Sequence, residues 1–503
     1  MKNFVAVILK KTPVLLCYIG IFCAISCTNI EKKGQTGYQT IDSGQTDTLS
    51  CLVSPSWFPH ENTPPPKEGI HSPFDASETT NLIFHQWSWQ KFLWLTKPVD
   101  TISLLPILVQ GTPEILILKS KIPLFLKQEQ IHQVTSSMKK VPQQFGTTVV
   151  LTDTGQAGSG GVLKTNPAFN NASNSATVYY SIHVSPTMFK AAHAFKDSIV
   201  IEKTLDPNNS ASFPVSSLEL KVSWVDASVI PSDQLSNYFI TVAALSSDGG
   251  ITFTNTNVAL LGMHVVGVVE NHPEFIWATF EHNDLAPNYN WKTNAATSTT
   301  EKLLFKSTST SGIDGITWVD STKATIVPYK AFDLFQFGVP VNADGYLETS
   351  QSEPLNFNNI KGINICVKNN LKDVWANYFY NGSIWLDTDG MSKQQQANVI
   401  SGLRNCIANA DVGSFARGSL NSANVTMETY TQTFQDSIHK IDVGNLASCF
   451  SCHSGESYTG MSSPIYLSHI FNSFILSESG KTLDEIELLK AKQEIEQILQ
   501  MMQ

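Results

Sequence analysis

Hydrophobic and polar positions divide the chain into regions of different period. The stretch FHQWSWQKFLWL (84–95) is dense in aromatics, and its apolar residues fit helical as well as alternating spacing, so it forms core whatever its geometry. The bland reading is an N-terminal helix packed on the main domain; the sharper one is a ligand cage built from its three tryptophans. The centre of the chain is β-like. Runs at 146–152, 176–184, 198–203, 217–224, 257–269 and 274–280 are rich in Val, Ile, Thr and aromatics, and stretches of Gly, Asn, Ser, Asp and Pro punctuate them. Residues 153–175 and 286–300 read as long surface loops. Regular intervening helices are missing, so an antiparallel sandwich or barrel-like sheet is expected and a doubly wound fold is not.

After about residue 392 the pattern turns helical. MSKQQQANVISGLRNCIANA has helical composition, and in the last segment Thr482 precedes Glu485 at capping-box spacing. Leu483, Ile486, Leu489, Ile495, Ile498 and Leu499 form an apolar stripe behind that cap. No internal repeat of fixed period is visible. The expected class is therefore α+β, with a large β-rich, sandwich-like body over 51–391 and a helical region over 392–503.

The N-terminus has its own logic. Lys2, Lys10 and Lys11 precede an apolar run (13–25) too short for a confident membrane span, the layout of an export signal occupying 1–26. It closes as Ala24-Ile25-Ser26-Cys27, which resembles a bacterial lipobox with Cys27 as the lipidated residue; an ordinary cleaved signal or an uncleaved anchor is the alternative. Residues 27–50 are polar and read as a flexible tether. Such a chain belongs in the cell envelope, as a periplasmic or outer-membrane-associated lipoprotein.

Composition narrows the partners. The chain has 503 residues, 42% hydrophobic, and a formal charge of -10 with Lys and Arg scattered. A phosphate backbone needs a concentrated basic face, so nucleic acid is not an expected partner. In an oxidising compartment Cys366 and Cys406 are either a disulfide or two buried thiols.

Cys449-Phe450-Ser451-Cys452-His453 carries the chemistry. C-x-x-C-H is the attachment pattern of c-type haem. Two thiols on one helical turn can each add across a vinyl group at the porphyrin edge, and the next residue brings an imidazole beneath the iron. A thioredoxin-like pair would want a strand-to-helix position in an α/β unit, and a structural zinc site would want a second ligand pair at motif spacing; the flanks supply neither. The expected cofactor is one covalent haem c, on Cys449 and Cys452, with His453 as the proximal iron ligand. For the distal position Met427 ranks first, because VTMETYTQTF leads into the motif. His469 and Met461 are alternatives, and Met263 and His264 could approach from the β-rich body.

In combination, several segments resemble uncharacterised, exported, single-haem cytochrome c family proteins of bacteria, over most of the mature chain. Ser88 to Leu93 resembles that family's SWQxFL segment, and Gln156 to Gly161 its Gly-rich loop. Leu218 to Trp224 resembles its acidic-apolar-Lys-Trp strand. Ala259 to Val266 and Ile276 to His282 resemble its paired GxHxV and IWATFEH strands, and Asn424 to Tyr430 its TMET element. The resemblance implies haem and electron transfer without naming a substrate. At His469 the family usually carries an acidic residue, which weakens that residue as an obligatory ligand. The glycines of 156–161 do not fit G-x-G-x-x-G, so nucleotide binding is not expected there.

His264, Glu281 and His282 form a second constellation. If their strands are neighbours, an imidazole and a carboxylate could meet as a proton-transfer or metal site; otherwise they pack a polar-lined core. Three functions follow. The first is a one-electron carrier serving an envelope redox partner. The second is a haem-dependent oxidoreductase, peroxidase-like or oxidising a small molecule, with His264, Glu281 or His282 handling protons. The third is a surface-lipoprotein binding module whose haem is structural or sensory.

Overall fold

The computed structural model describes residues 53–76, 79–109, 112–144, 146–155, 162–170, 175–205, 210–286, 298–305, 307, 316–320, 325–328, 341–342, 345–346, 356–402, 415–419, 424–427, 449–490 and 492. The signal, Cys27, the tether and Cys406 lie outside these residues, as do Gln156 to Gly161 of the Gly-rich loop. Cys366 is disulfide-bonded.

Helix α1 (Asn81–Thr96) is apolar on all sides, and a helix of that kind must be buried. It is followed by a hairpin of β1 (Pro98–Val109) and β2 (Thr112–Pro123), which form a two-stranded sheet of their own. Then come β3 (His132–Val134), β4 (Val149–Leu151) and β5 (Tyr179–Val184). Helix α2 (Pro186–Lys196) starts where Ser185 accepts from the Met188 amide and Pro186 presets the first turn. Next are β6 (Leu218–Asp226), β7 (Ile240–Leu245), β8 (Thr254–Val269) and β9 (His272–His282). Two small antiparallel pairs follow, β10 (Ile316–Asp320) with β11 (Thr325–Pro328) and β12 (Val341–Asn342) with β13 (Gly345–Tyr346). The remaining elements are α3 (Asn356–Asn370), β14 (Tyr378–Leu386), α4 (Lys393–Ser401), β15 (Ala416–Gly418), α5 (Cys449–Cys452) and α6 (His469–Glu478).

Nine strands make one sheet in the order β15-β14-β9-β8-β6-β5-β3, with β7 beside β8 and β4 beside β7. Every described pairing is antiparallel except β4 with β7. The fold is thus mixed helix and sheet with a large antiparallel body. Where two packed sheets were expected, helices supply the covering layers on both faces. That is why β8 and β9 are buried on both sides: Ile276, Ala278 and Phe280 enter one core, Phe275 and Trp277 another.

The first face is covered by α1 and α3. Phe92 stacks on Phe280 at 4.1 Å, and Phe84 stacks on Trp385 at 4.2 Å. The helix sits so close that a Cβ on Gly267 would lie 2.7 Å from the Trp87 ring. Glu68 is buried beneath this layer, accepting from Lys91 Nζ at 2.7 Å and Trp87 Nε1 at 2.8 Å. The opposite face carries α2, α4, α5 and α6, packed through Met188, Ile400, Phe450, Ile470 and Phe471. A third core, with Leu163, Tyr180, Val225, Leu261 and Met427, closes the far end of that face.

One expected strand is a helix. Residues 198–203 read as β because of Ile199, Val200 and Ile201, but the chain there continues α2 into a wide turn, Asp197–Ile201. Ile199 and Val200 pack against the second core, so tertiary burial overrides a local β preference. Past residue 392 the chain does not separate from the body, because β15 pairs with β14 at the sheet edge. Among the described residues no helix is long and apolar enough to cross a membrane.

Candidate functional site

The motif occupies a single helical turn. Helix α5 spans Cys449–Cys452, and the His453 amide donates to the Cys449 carbonyl at 2.8 Å, closing the turn. Phe450 is fully buried and meets Trp277 of β9 edge-on, which pins the turn to the sheet. Cys449 is half-buried.

The orientation of His453 is set by one bond. Its Nδ1 lies 2.8 Å from the Leu467 carbonyl oxygen. A carbonyl can only accept, so Nδ1 carries a proton and donates it to Leu467. Backbone carbonyls fix metal-ligating histidines in this way, holding the tautomer and raising the basicity of the ligating nitrogen. The carbonyl itself is anchored, since Pro464–Leu467 is a buried 3-10 turn tied through Ser463 Oγ to the Ala211 carbonyl at 2.8 Å. Gly455 permits the intervening path: a Cβ there would lie 3.0 to 3.1 Å from Ile400.

The His453 ring is sandwiched. Trp277 lies 4.2 Å away on one side, and His469, the first residue of α6, stacks on it at 4.0 Å with 21° between the planes. Two imidazoles trans across an iron point their nitrogens at each other with the metal between; these two lie face to face. His469 is therefore a neighbour of His453 and is not placed opposite it. Ser468 caps α6 by accepting from the Phe471 amide and donates its own hydroxyl to Glu219 Oε2 at 2.7 Å. Burial pushes the Glu219 carboxyl up to about 7, against the opposing effects of the Ser468 bond and Lys221.

Strand register maps the rest of this face. Glu219, Val266 and Trp277 share one row across β6, β8 and β9; Lys221, His264 and Thr279 share the next; Ser223, Gly262 and Glu281 share the one beyond. His264 and Glu281 are thus diagonal neighbours on the motif's face, and the notional meeting of their strands is real. His282 is on the other side of β9 and is already committed. Its Nε2 donates to the Asn237 carbonyl at 3.0 Å, its Nδ1 accepts from the Asp284 amide, and Tyr238 stacks on it at 3.7 Å. Burial lowers its pKa to about 4, so it is neutral across the physiological range.

Met427 ends a turn, 424–427, seated on the third row. Asn424 Nδ2 donates to the Phe280 carbonyl at 3.0 Å and to Thr279 Oγ1 at 3.1 Å, while Thr426 Oγ1 meets Ser223 Oγ at 2.6 Å. Gly262 is the reason the turn fits, because a Cβ at that position would meet the Asn424 amide at 2.7 Å. Met427 is fully buried in the third core, two rows from Trp277, or about 13 Å along the strands at ~3.3 Å per residue. Met461 lies between His453 and His469 in sequence, and its sulfur accepts from Tyr466 Oη at 3.6 Å. Met263 belongs to the core on the opposite face, so alternation along β8 removes it from the motif while keeping His264.

Two participants escaped sequence reasoning. Trp277 and the Leu467 carbonyl decide how His453 is held, yet neither carries a local signal, since one is a strand aromatic and the other a backbone atom fourteen residues downstream. Among the described residues no group of three or more His, Cys, Asp or Glu side chains could hold a bare metal ion. No family model matches the chain, and no curated protein and no solved structure is significantly similar to it.

Proposed function

We propose that this chain is an exported c-type cytochrome of the cell envelope, carrying one covalent haem and passing single electrons to an envelope redox partner. The reading rests on one observation: Cys449 through His453 form a single turn whose histidine donates from Nδ1 to the Leu467 carbonyl, the orientation in which an imidazole would bind iron through Nε2. Cys449 and Cys452 would hold the porphyrin and His453 would be the proximal ligand. When bound, haem supplies a reversible one-electron ferric/ferrous couple.

The chain's own residues do the rest. Phe450 and Trp277 fix the turn and shield one side of the imidazole, and Leu467 sets its basicity. Met427, the first candidate for the sixth position, lies two rows away from Trp277 in the third core, and His469 stacks on the His453 ring. The third member of the suggested proton-handling set, His282, is on the opposite face with both nitrogens engaged, which favours the carrier over the oxidoreductase. Export and lipidation at Cys27 complete the proposal and place the body at a membrane surface.

The test is a spectrum of the chain expressed with a cytochrome c maturation system, oxidised and reduced. The expected product is coloured, six-coordinate and low-spin, keeps its pigment in acidified acetone, and loses it in Cys449→Ser/Cys452→Ser. Colourless or acetone-extractable material from correctly exported protein overturns the proposal. A high-spin species that binds cyanide and consumes peroxide moves it to the oxidoreductase, and Met427→Ala retaining the low-spin spectrum removes Met427 as ligand.

A further inference from the structure

We infer that His272, set between the carboxylates of Glu274 and Asp389, is the proton-operated catch of a latch that fastens the N-terminal strap (68–76 and Thr79) to the body. The strap meets the fold at the β8–β9 turn. There the Glu270 amide donates to the Glu68 carbonyl at 2.7 Å, and Asn271 Nδ2 donates to the Phe74 carbonyl at 3.1 Å. Phe74 and, from α1, Phe84 press edge-on against the His272 ring, at 6.4 Å and 5.0 Å. At the far end of the strap the Thr79 amide and hydroxyl both donate to Asp389 Oδ2, at 2.6 Å and 2.8 Å. The turn itself is fixed from the body side, since Gln396 of α4 donates to the Asn271 carbonyl at 2.7 Å.

The two carboxylates differ in freedom. Beyond the Ile384↔Trp277 pair β14 parts from β9, close to where Phe275 takes a left-handed φ of 65°, which is rare for a side chain of its size. Glu274 fills the gap: its Oε1 accepts from the Leu386 amide at 3.0 Å and from His272 Nδ1 at 2.8 Å. The Glu274 side chain is wholly buried, and its Oε2 finds no hydrogen-bond partner among the described residues. Asp389 reaches the surface, with 19% of its side chain exposed, and stands 3.8 Å from His272 Nε2, which finds no hydrogen-bond partner there either. His272 therefore holds Asp389 by charge and not by a hydrogen bond, and that attraction vanishes with the second proton of the ring.

The charges that bear on the ring are Glu274, Asp389 and Asp387, the last of them bound by Arg417 Nη2 at 2.6 Å. On the strap, the turn and α1, Glu68 is paired with Lys91 at 2.7 Å, His85 is turned to Tyr380 Oη, His71 and Asp75 are exposed, and Glu270 is half-buried. Burial works against an imidazolium at His272 and the carboxylates work for it, and the balance lies above the ordinary value of 6.5. Unfolded, the ring titrates at that ordinary value, so the catch is closed at acidic pH and opens as pH rises through the folded value. Once the ring is neutral, two carboxylates share one layer with no cation between them. Glu274 cannot leave it; Asp389 can turn to water, and Thr79 is dropped.

The latch does not depend on haem attachment. Its test is amide exchange of the full chain, read by mass spectrometry from pH 6 to pH 9 and corrected for the intrinsic rate. Protection of peptides covering 68–80 should fall about tenfold more than that of peptides over α3. Exchange at the C2–H of His272 should give a midpoint above the ordinary 6.5. Asp389→Asn keeps an acceptor for Thr79 without the charge and should hold the strap protected at pH 9. His272→Gln should leave the strap loose at every pH; should that variant fold poorly, Asp389→Asn and the His272 midpoint decide the matter. Strap protection that follows α3 at every pH, a pH step that survives in either variant, or a His272 midpoint below 6.5 would each overturn the inference.

Discussion

On the α1 side of the sheet, ring meets ring: Phe84, Trp89 and Phe92 interlock with Phe280, Tyr380 and Trp385, and the buried charges Lys91 and Glu68 are paired. On the motif side, an apolar end holding Phe450 and His453 is separated from the apolar end holding Met427 by a row containing Lys221, His264 and Thr279. One side is packed ring on ring, and the other sets polar side chains, Lys221, His264 and Glu281, between its apolar ends. The difference teaches that a two-sided buried sheet can divide labour between its faces, because side chains alternate along every strand.

Four substitutions break or sharpen that contrast. Phe92→Ala should be the most damaging, costing about 4 kcal/mol in denaturant unfolding through lost burial and the cavity left under Phe280. Glu68→Gln strands the Lys91 ammonium in the same layer and should cost about 3 kcal/mol. On the motif side, Gly262→Val drives a side chain into Asn424 and should cost about 2 kcal/mol, with proteolysis increasing around 424–427. A larger loss from Gly262→Val than from Phe92→Ala would invert the proposed division.

The smallest effect is a pH effect. The Glu219 carboxyl titrates near 7 in the folded chain and at its ordinary value near 4.5 when unfolded. Between those values the folded state holds the extra proton, so stability is highest at the acidic end and falls as pH rises through 7. Glu219→Gln should flatten this decline, gaining about 1 kcal/mol at pH 8 relative to pH 5 after solvent screening. Parallel melting curves for both proteins across that range would show that Glu219 is not the titrating group.

Local signals were readable where one physical cause acts alone. The 84–95 run became α1, since a segment apolar on every side has only the interior to go to; β5 falls within its expected run, and β6, β8 and β9 overlap theirs and extend past them. The Thr482–Glu485 capping box forms as its spacing predicts, with Thr482 N and Oγ1 both donating to the carboxylate. The stripe behind it is less faithful: Ile486 is buried but Leu483 is largely exposed. The β1–β2 hairpin was not legible as strands, because a run of consecutive apolar residues such as LLPILV (104–109) shows no period of two. Cys366 is bonded, a question spacing could not answer.

By itself, then, the sequence determined the five-residue motif, the apolar segments that had to be buried and the α+β class, since each depends on chemistry held within a few neighbouring residues. Tertiary structure alone decided which atom orients His453, that His469 lies beside it, that His264 shares the motif's face while Met263 and His282 do not, and that helices cover the sheet. Those outcomes depend on strand register and on a carbonyl fourteen residues away, and register is settled only when the whole sheet pairs at once.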